Sequence, residues 1–139
     1  MNEYADENFI LGYRISPEEI ENPGIRLEDS LYFAKNIQDQ IDYLHLSMGS
    51  YNRTSLNDKF DTKTILSQFK AVLNNQAPII TVGSIKTPQD AEDAMTLGAD
   101  FIALGRELIN EPKWVQKIES NDETSIRLQT SHKKNIALK

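Results

Sequence analysis

Residues 78–109 read PIITVGSIKTPQDAEDAMTLGADFIALGRELI, and the alternation inside this stretch decides the fold class. Pro78–Val82 is almost continuously apolar, which predicts a parallel strand buried on both faces. Thr87, Pro88 and Asp90 then form a helix start: a capping side chain, a proline at the first position and an acid in the first turn. Gly98 ends that helix as a residue able to take the left-handed conformation. A second apolar run, Phe101–Leu104, follows and stops at Gly105-Arg106. With no hairpin signal between the two runs, they must be parallel strands joined by a helical crossover.

The same rhythm extends in both directions. Upstream, Phe9–Arg14 and Ile41–Ser47 are runs of strand formers. Leu27, Leu31, Ala34 and Ile37 recur at helical steps after the first of them. Ile65, Leu66, Phe69, Val72 and Leu73 do so after the second, with Asp61 or Thr62 placed to cap that helix. Downstream, Asn110 is placed to cap a last helix bearing Trp114, Val115 and Ile118. From Asp122 to Lys139 periodicity fades and an irregular tail is expected. The order β-α-β-α-β-α-β-α is that of an α/β protein, and two architectures satisfy it: a segment of a (βα)8 barrel, or a small open doubly wound sheet. A length of 139 residues fits a single domain over 1–139. It also allows a core that needs no covalent or metal staple.

Composition narrows the function. The chain has no cysteine, which removes disulfides, thiolate zinc sites, iron–sulfur clusters and cysteine nucleophiles together. Its net charge is -6 with both signs interspersed and only Lys133–Lys134 as a basic run, so no nucleic-acid partner is expected. No apolar stretch approaches the roughly 20 residues of a membrane span. The first residues, Met1–Asn8, are acidic and polar, unlike a secretory leader. A cytoplasmic location is expected.

The chemistry-bearing stretch is the pair of strand ends Val82-Gly83-Ser84-Ile85 and Leu104-Gly105-Arg106-Glu107. In (βα)8 barrels a phosphate often lies between the loops after strands seven and eight. Glycine there lets the main chain approach the phosphate and present its N–H groups. Gly83 and Ser84 would supply one set of donors, with the Ser84 hydroxyl added. Gly105 and Arg106 would supply the other, with a guanidinium for charge or for a planar contact to a ring. Taken one at a time, these are ordinary turns. Two glycine strand ends flanking one well-capped helix are more specific.

Elsewhere the signals are structural. His45 sits inside an apolar strand, as a hydrogen-bonded core histidine would, and His132 has no evident partner. Glu18-Glu19-Ile20-Glu21 reads as a solvated face, and no histidine or carboxylate pattern suggests a metal. Trp114 reads as a packing residue. Tyr51, Asn52 and Arg53 fall in a loop on the face where barrel sites form, positioned for substrate or partner. Arg14, taken alone, is a surface arginine paired with Glu18 or Glu19.

Taken together, residues 81–92 and 97–108 resemble the last two βα units of old yellow enzyme-type NAD(P)H:flavin oxidoreductases. Gly12–Glu19 resembles the family's fifth strand with its arginine, and Asp42–Ser47 its sixth. The resemblance covers about residues 9 to 118 in the family's order. It implies the C-terminal half of an FMN-binding (βα)8 TIM barrel, with FMN as cofactor and NADH or NADPH as reductant. On this resemblance Arg14 lies beside the pyrimidine edge of the flavin, where reduction gathers negative charge that a fixed guanidinium favours. Gly83, Ser84, Gly105 and Arg106 would hold the FMN phosphate, although the family usually has a second glycine where this chain has Ser84. The family's substrate-holding histidine or asparagine pair and its tyrosine proton donor lie on earlier strands. No catalytic residue is therefore assigned here. A half-barrel leaves two unpaired edges and an open inner face. The expectation is an excised or truncated piece that dimerises or associates with a missing N-terminal half, and that alone oxidises NADH slowly or not at all. The alternative is a non-catalytic phosphate- or nucleotide-binding half-barrel; a phosphosugar isomerase or lyase ranks last, for want of a strand-end carboxylate or lysine.

Overall fold

The computed structural model describes residue 6 and residues 8–128; His132 and the Lys133–Lys134 run lie outside the described residues. Strands β1 (Gly12–Ile15), β2 (Tyr43–Ser47), β3 (Ile79–Val82) and β4 (Phe101–Ile102) alternate with helices α1 (Leu27–Ile37), α2 (Ile65–Leu73) and α3 (Pro88–Thr96). Two short helices, α4 (Arg106–Asn110) and α5 (Trp114–Glu119), and a 3₁₀ turn at Glu123–Ser125 follow. All three strand pairs are parallel, in the order β1-β2-β3-β4.

That order settles the choice left open by the sequence. Parallel crossovers are right-handed, so steps that always move the same way across the sheet keep every helix on one face. A doubly wound sheet must reverse direction to cover its second face. Here no reversal occurs, and the sheet is a barrel segment. Leu44, Leu46 and Ile79 form the core with Ala34, Ile65, Leu66, Phe69 and Leu73 on the helix side. The pair Tyr13–Phe33, with centroids 5.0 Å apart, joins β1 to α1 on that same side.

The opposite face follows from strand parity. Arg14, His45, Ile80 and Phe101 stand in one register row across the sheet, with Gly12 and Tyr43 below and Ser47 and Val82 above. This is the face that lines the inside of a closed barrel. The expectation that β3 is buried on both faces therefore holds only for Ile79 and Thr81, while Ile80 and Val82 stay half-buried. The reason is geometric: four strands of a barrel have helices behind them but nothing across from them. Phe101 (58 % exposed) shows the same openness.

Local starts and stops differ in detail from the sequence expectation. Thr87 and Asp90 do form a reciprocal capping box, with Pro88 opening α3. For α2 the cap is Thr64, which accepts from the Ser67 N–H, rather than Asp61 or Thr62. Asp61 instead accepts from the Lys63 N–H. Asn110 ends α4, and α5 starts at Trp114, preceded by Lys113, which makes no side-chain cap bond. Strand β1 begins at Gly12, so Phe9 and Ile10 precede the sheet as exposed apolar residues.

The C-terminal elements are held by one carboxylate. Glu111, only 3 % exposed, accepts from Lys117 Nζ at 2.7 Å, the Lys113 N–H at 3.2 Å and Arg127 Nε at 3.2 Å. The Lys117 ammonium first, and then those other donors against the opposing effect of burial, hold its carboxyl down to about 2 from an ordinary 4.5. A depressed carboxyl stabilises the fold above its unfolded value and ceases to as pH falls through the folded one. Residues 111–127 are therefore expected to loosen between about pH 4.5 and 2. Trp114 fluorescence followed through an acid titration reads this directly. In a Glu111→Gln variant that step should be missing.

Among the described residues no helix is long and apolar enough to cross a membrane, and no group of three His, Asp or Glu is arranged to hold a metal.

Candidate functional site

The C-terminal ends of the four strands open into a cleft of about 270 Å³. Arg14, Gly83, Ser84, Gly105 and Arg106, singled out from the sequence, all line it. They arrive from three separate strand ends. Each is placed by backbone packing that can be followed residue by residue.

At the β3 end, Gly83 has φ +142 and its carbonyl accepts the Tyr51 N–H at 3.0 Å. A Cβ on Gly83 would lie 2.6 Å from the Met48 carbonyl oxygen and 2.9 Å from the Ser50 nitrogen. Glycine is thus required here by the close crossing of the loops after β2 and β3. Ser84 takes the left-handed conformation, φ +50, uncommon for a residue with a side chain. Its hydroxyl donates to the Gly49 carbonyl at 2.8 Å. The Ser84 side chain, expected to offer its proton to a ligand, is instead tied to the neighbouring loop, while its N–H meets no protein acceptor among the described residues.

At the β4 end, Gly105 has the opposite character. Among the described residues, a Cβ there would meet nothing within 4 Å, so they leave open space beside the main chain. The N–H groups of Gly105 and Arg106 have no protein acceptor among the described residues, and Arg106 makes no ion pair there. Glu107 also lines the cleft; its carboxylate accepts from Asn110 Nδ2 at 3.3 Å.

Arg14 enters from β1. It pairs with neither Glu18 nor Glu19: its Nη2 donates to Ser47 Oγ at 2.6 Å, across to the top of β2. That bond lays the guanidinium along the inner face and leaves its other N–H groups unengaged by any protein acceptor among the described residues. Val82, Ile85 and Glu107, from the same two strand ends, also line the cleft, and Ser47, Met48, Gly49 and Ala103, not singled out from the sequence, complete it. Ser47 was detectable in principle, because it shares strand parity with His45 at the C-terminal end of β2.

Two of the three loop residues expected to meet a substrate or partner, Tyr51 and Arg53, do other work. Tyr51 is buried, with its hydroxyl 3.5 Å from Asp90 Oδ1, and Arg53 is ion-paired to Glu18 at 2.6 Å. Burial first, and then the Asp90 and Asp93 charges, push the Tyr51 hydroxyl up. Trp114, read as packing, also donates Nε1–H to the Lys86 carbonyl at 2.8 Å, fixing the loop after β3.

A family model described as NADH:flavin oxidoreductase / NADH oxidase matches residues 2–125. The chain belongs to that family. Among NADH:flavin oxidoreductase relatives, the NADH:fumarate oxidoreductase of Klebsiella pneumoniae is 36 % identical over 135 residues, covering 94 % of this chain and 15 % of the relative. The NADH:acrylate oxidoreductase of Vibrio harveyi is 36 % identical over 126 residues, covering 88 % of this chain and 12 % of the relative. The chain thus spans less than one-sixth of either protein. In fold, it superposes on histamine dehydrogenase from Rhizobium sp. 4-9 with a TM-score of 0.65 at 19 % identity, covering 83 % of this chain and 17 % of that one. The resemblance to old yellow enzyme-type oxidoreductases and the partial-barrel fold are both borne out.

Proposed function

We propose that this chain supplies the FMN phosphate-binding half of an NAD(P)H-dependent flavin oxidoreductase of the old yellow enzyme type. One observation carries the proposal: two neighbouring β-to-α junctions whose N–H groups are unengaged among the described residues, and the Arg14 guanidinium, open on the same cleft. The residues fit a phosphate-bearing ring cofactor. Beside Gly105 there is a cradle that a Cβ would begin to fill, which suits a close approach by a phosphate. Ser84, Gly105 and Arg106 offer amides, and Arg106 adds charge. Gly83 shapes the loop rather than needing a ligand to explain it. Arg14, braced by Ser47, places positive charge on the inner face where an electron-accepting ring gathers negative charge. FMN, when bound, supplies the hydride relay between NADH or NADPH and an acceptor.

The test is a fluorescence titration of FMN, whose emission is quenched on binding. Arg106→Ala should weaken FMN by about tenfold, the magnitude of one charge-assisted hydrogen bond at a solvent-accessible site. The loss should shrink as salt is raised. Unchanged affinity at low salt would remove Arg106 from the site.

A second function is favoured by the open inner face, where Ile10, Tyr43, Ile80 and Phe101 line an apolar hollow of about 480 Å³. It is a non-catalytic half-barrel module that assembles with a partner, either a second copy or an N-terminal half-barrel. The same titration separates the two, because this module need not quench FMN at all.

A further inference from the structure

We propose that His45, beside Arg14 on the inner face, is a latent second cation at this site that takes up a proton when negative charge settles against Arg14. The inference rests on the flavin function above, and it extends that site to a residue outside the cleft lining.

His45 stands directly opposite Arg14 in the β1–β2 register, on the inner face of the sheet. Neighbouring strands lie about 4.8 Å apart, so the two side chains rise side by side. Arg14 passes over to β2 and bonds Ser47, two residues beyond His45 on the same face. His45 Nε2 is buried and has no hydrogen-bond partner among the described residues. A buried polar atom without a partner calls for an explanation. An imidazole meant only for packing would more stably be an apolar side chain of similar size.

The surroundings decide its charge. The groups on the inner face around His45 are Arg14 on β1, Tyr43 and Ser47 on its own strand, Ile80 on β3 and Phe101 on β4. None is a carboxylate. Asp42, at the start of β2, is engaged by the Leu11 N–H at 2.7 Å. Burial first and the Arg14 charge second hold His45 below the ordinary histidine value, so it is neutral near pH 7. An anion held against Arg14 cancels the second of these effects and adds its own attraction for a protonated ring, which opposes the cost of burial. The imidazole then takes one proton from solvent and shares the neutralisation of that anion. A ring that becomes negative on reduction would thereby draw a proton to a protein side chain instead of standing against one guanidinium. His45 is in this sense a positioning residue for charge, acting through Arg14 rather than by touching the reacting atoms.

The experiment is a nitrogen-detected NMR titration of the His45 imidazole in the full chain, with His132→Gln removing the other histidine signal. In the free protein its midpoint should lie below that of a free histidine. Arg14→Gln should raise it, and Arg14→Lys, which keeps the charge, should leave it low. Adding FMN and then reducing it anaerobically with dithionite should raise the midpoint above the ligand-free value, with the larger step on reduction. The midpoint potential of bound FMN should also become less pH-dependent in His45→Asn than in the parent. A His45 midpoint indifferent to Arg14→Gln overturns the proposal, as does one indifferent to reduced FMN that fluorescence shows to be bound. Failure of FMN to bind at all would instead remove the flavin function, and this inference with it.

Discussion

Replacing Gly83 by alanine is expected to destabilise the protein by about 3 kcal/mol and to open the cleft in the same step. Two costs combine. The backbone at φ +142 is one that residues with a Cβ rarely adopt. The new methyl would also press on the Met48 carbonyl oxygen and the Ser50 nitrogen, which are main-chain atoms and cannot rotate aside. Relief requires the loops after β2 and β3 to separate, which breaks the Tyr51 N–H to Gly83 bond. Since Met48, Gly49 and Ser84 all line the cleft, stability and ligand affinity should fall together. Gly105→Ala is the informative companion: its methyl meets no protein atom, so unfolding in urea should be nearly unchanged while FMN binding weakens. A Gly83→Ala protein as stable as the parent would show that the loops give way freely and that the crossing does not hold the cleft's shape.

The two strand ends illustrate how far sequence reading reaches. Both glycines were visible as strand terminators, and their spacing around a capped helix placed them at neighbouring junctions. Their causes were not visible. Gly83 is fixed by contact with a loop more than thirty residues earlier in the chain, and Gly105 by empty space; nothing local distinguishes the two. The helix α3 was legible down to its cap because Thr87, Pro88 and Asp90 act within one turn. By contrast, the cap of α2 falls at Thr64, after a loop whose residues Ser55 and Leu56 bond Glu18 across the chain, a long-range tie that no local pattern encodes. The burial of β3 was overestimated for a related reason. A continuous apolar run records the environment of a closed barrel, whereas four strands cover only one face. The Ser47 partner of Arg14 is not legible locally, because the nearby acids Glu18 and Glu19 are near only in sequence. Strand parity sends Arg14 to the inner face, and Glu18 lies beyond the end of β1.

Glu18 carries the largest remaining prediction. It was read as part of a solvated acidic face, yet its side chain is fully buried. It accepts from Arg53 Nη1 at 2.6 Å, the Leu56 N–H at 2.8 Å, Ser55 Oγ at 2.9 Å and Asn57 Nδ2 at 3.2 Å. One carboxylate thereby ties residues 53–57 of the loop between β2 and α2 to the segment that follows β1. Burial raises its carboxyl, but the donors from Leu56, Ser55, Arg53 and Asn57 outweigh burial and hold it below the ordinary range. Glu18→Ala leaves Arg53 facing an apolar gap with several donors unmatched. The expected loss is about 3 kcal/mol, the low end for breaking a buried pair because water reaches part of Arg53. Glu18→Gln keeps the shape but should still lose a large part, since the amide cannot accept from all four donors. Because the folded-state carboxyl is depressed, the stabilisation is complete above the unfolded carboxylate range and vanishes as pH falls through the folded value. Urea unfolding of parent and Glu18→Ala should therefore differ widely at pH 7 and converge in acid. Double replacement of Glu18 and Arg53 by methionine should recover part of the loss, as an apolar pair of similar volume can. Curves for parent and Glu18→Ala that stay equally far apart from neutral pH to pH 2 would mean that the cluster is held by packing, with the charge of Glu18 incidental to it.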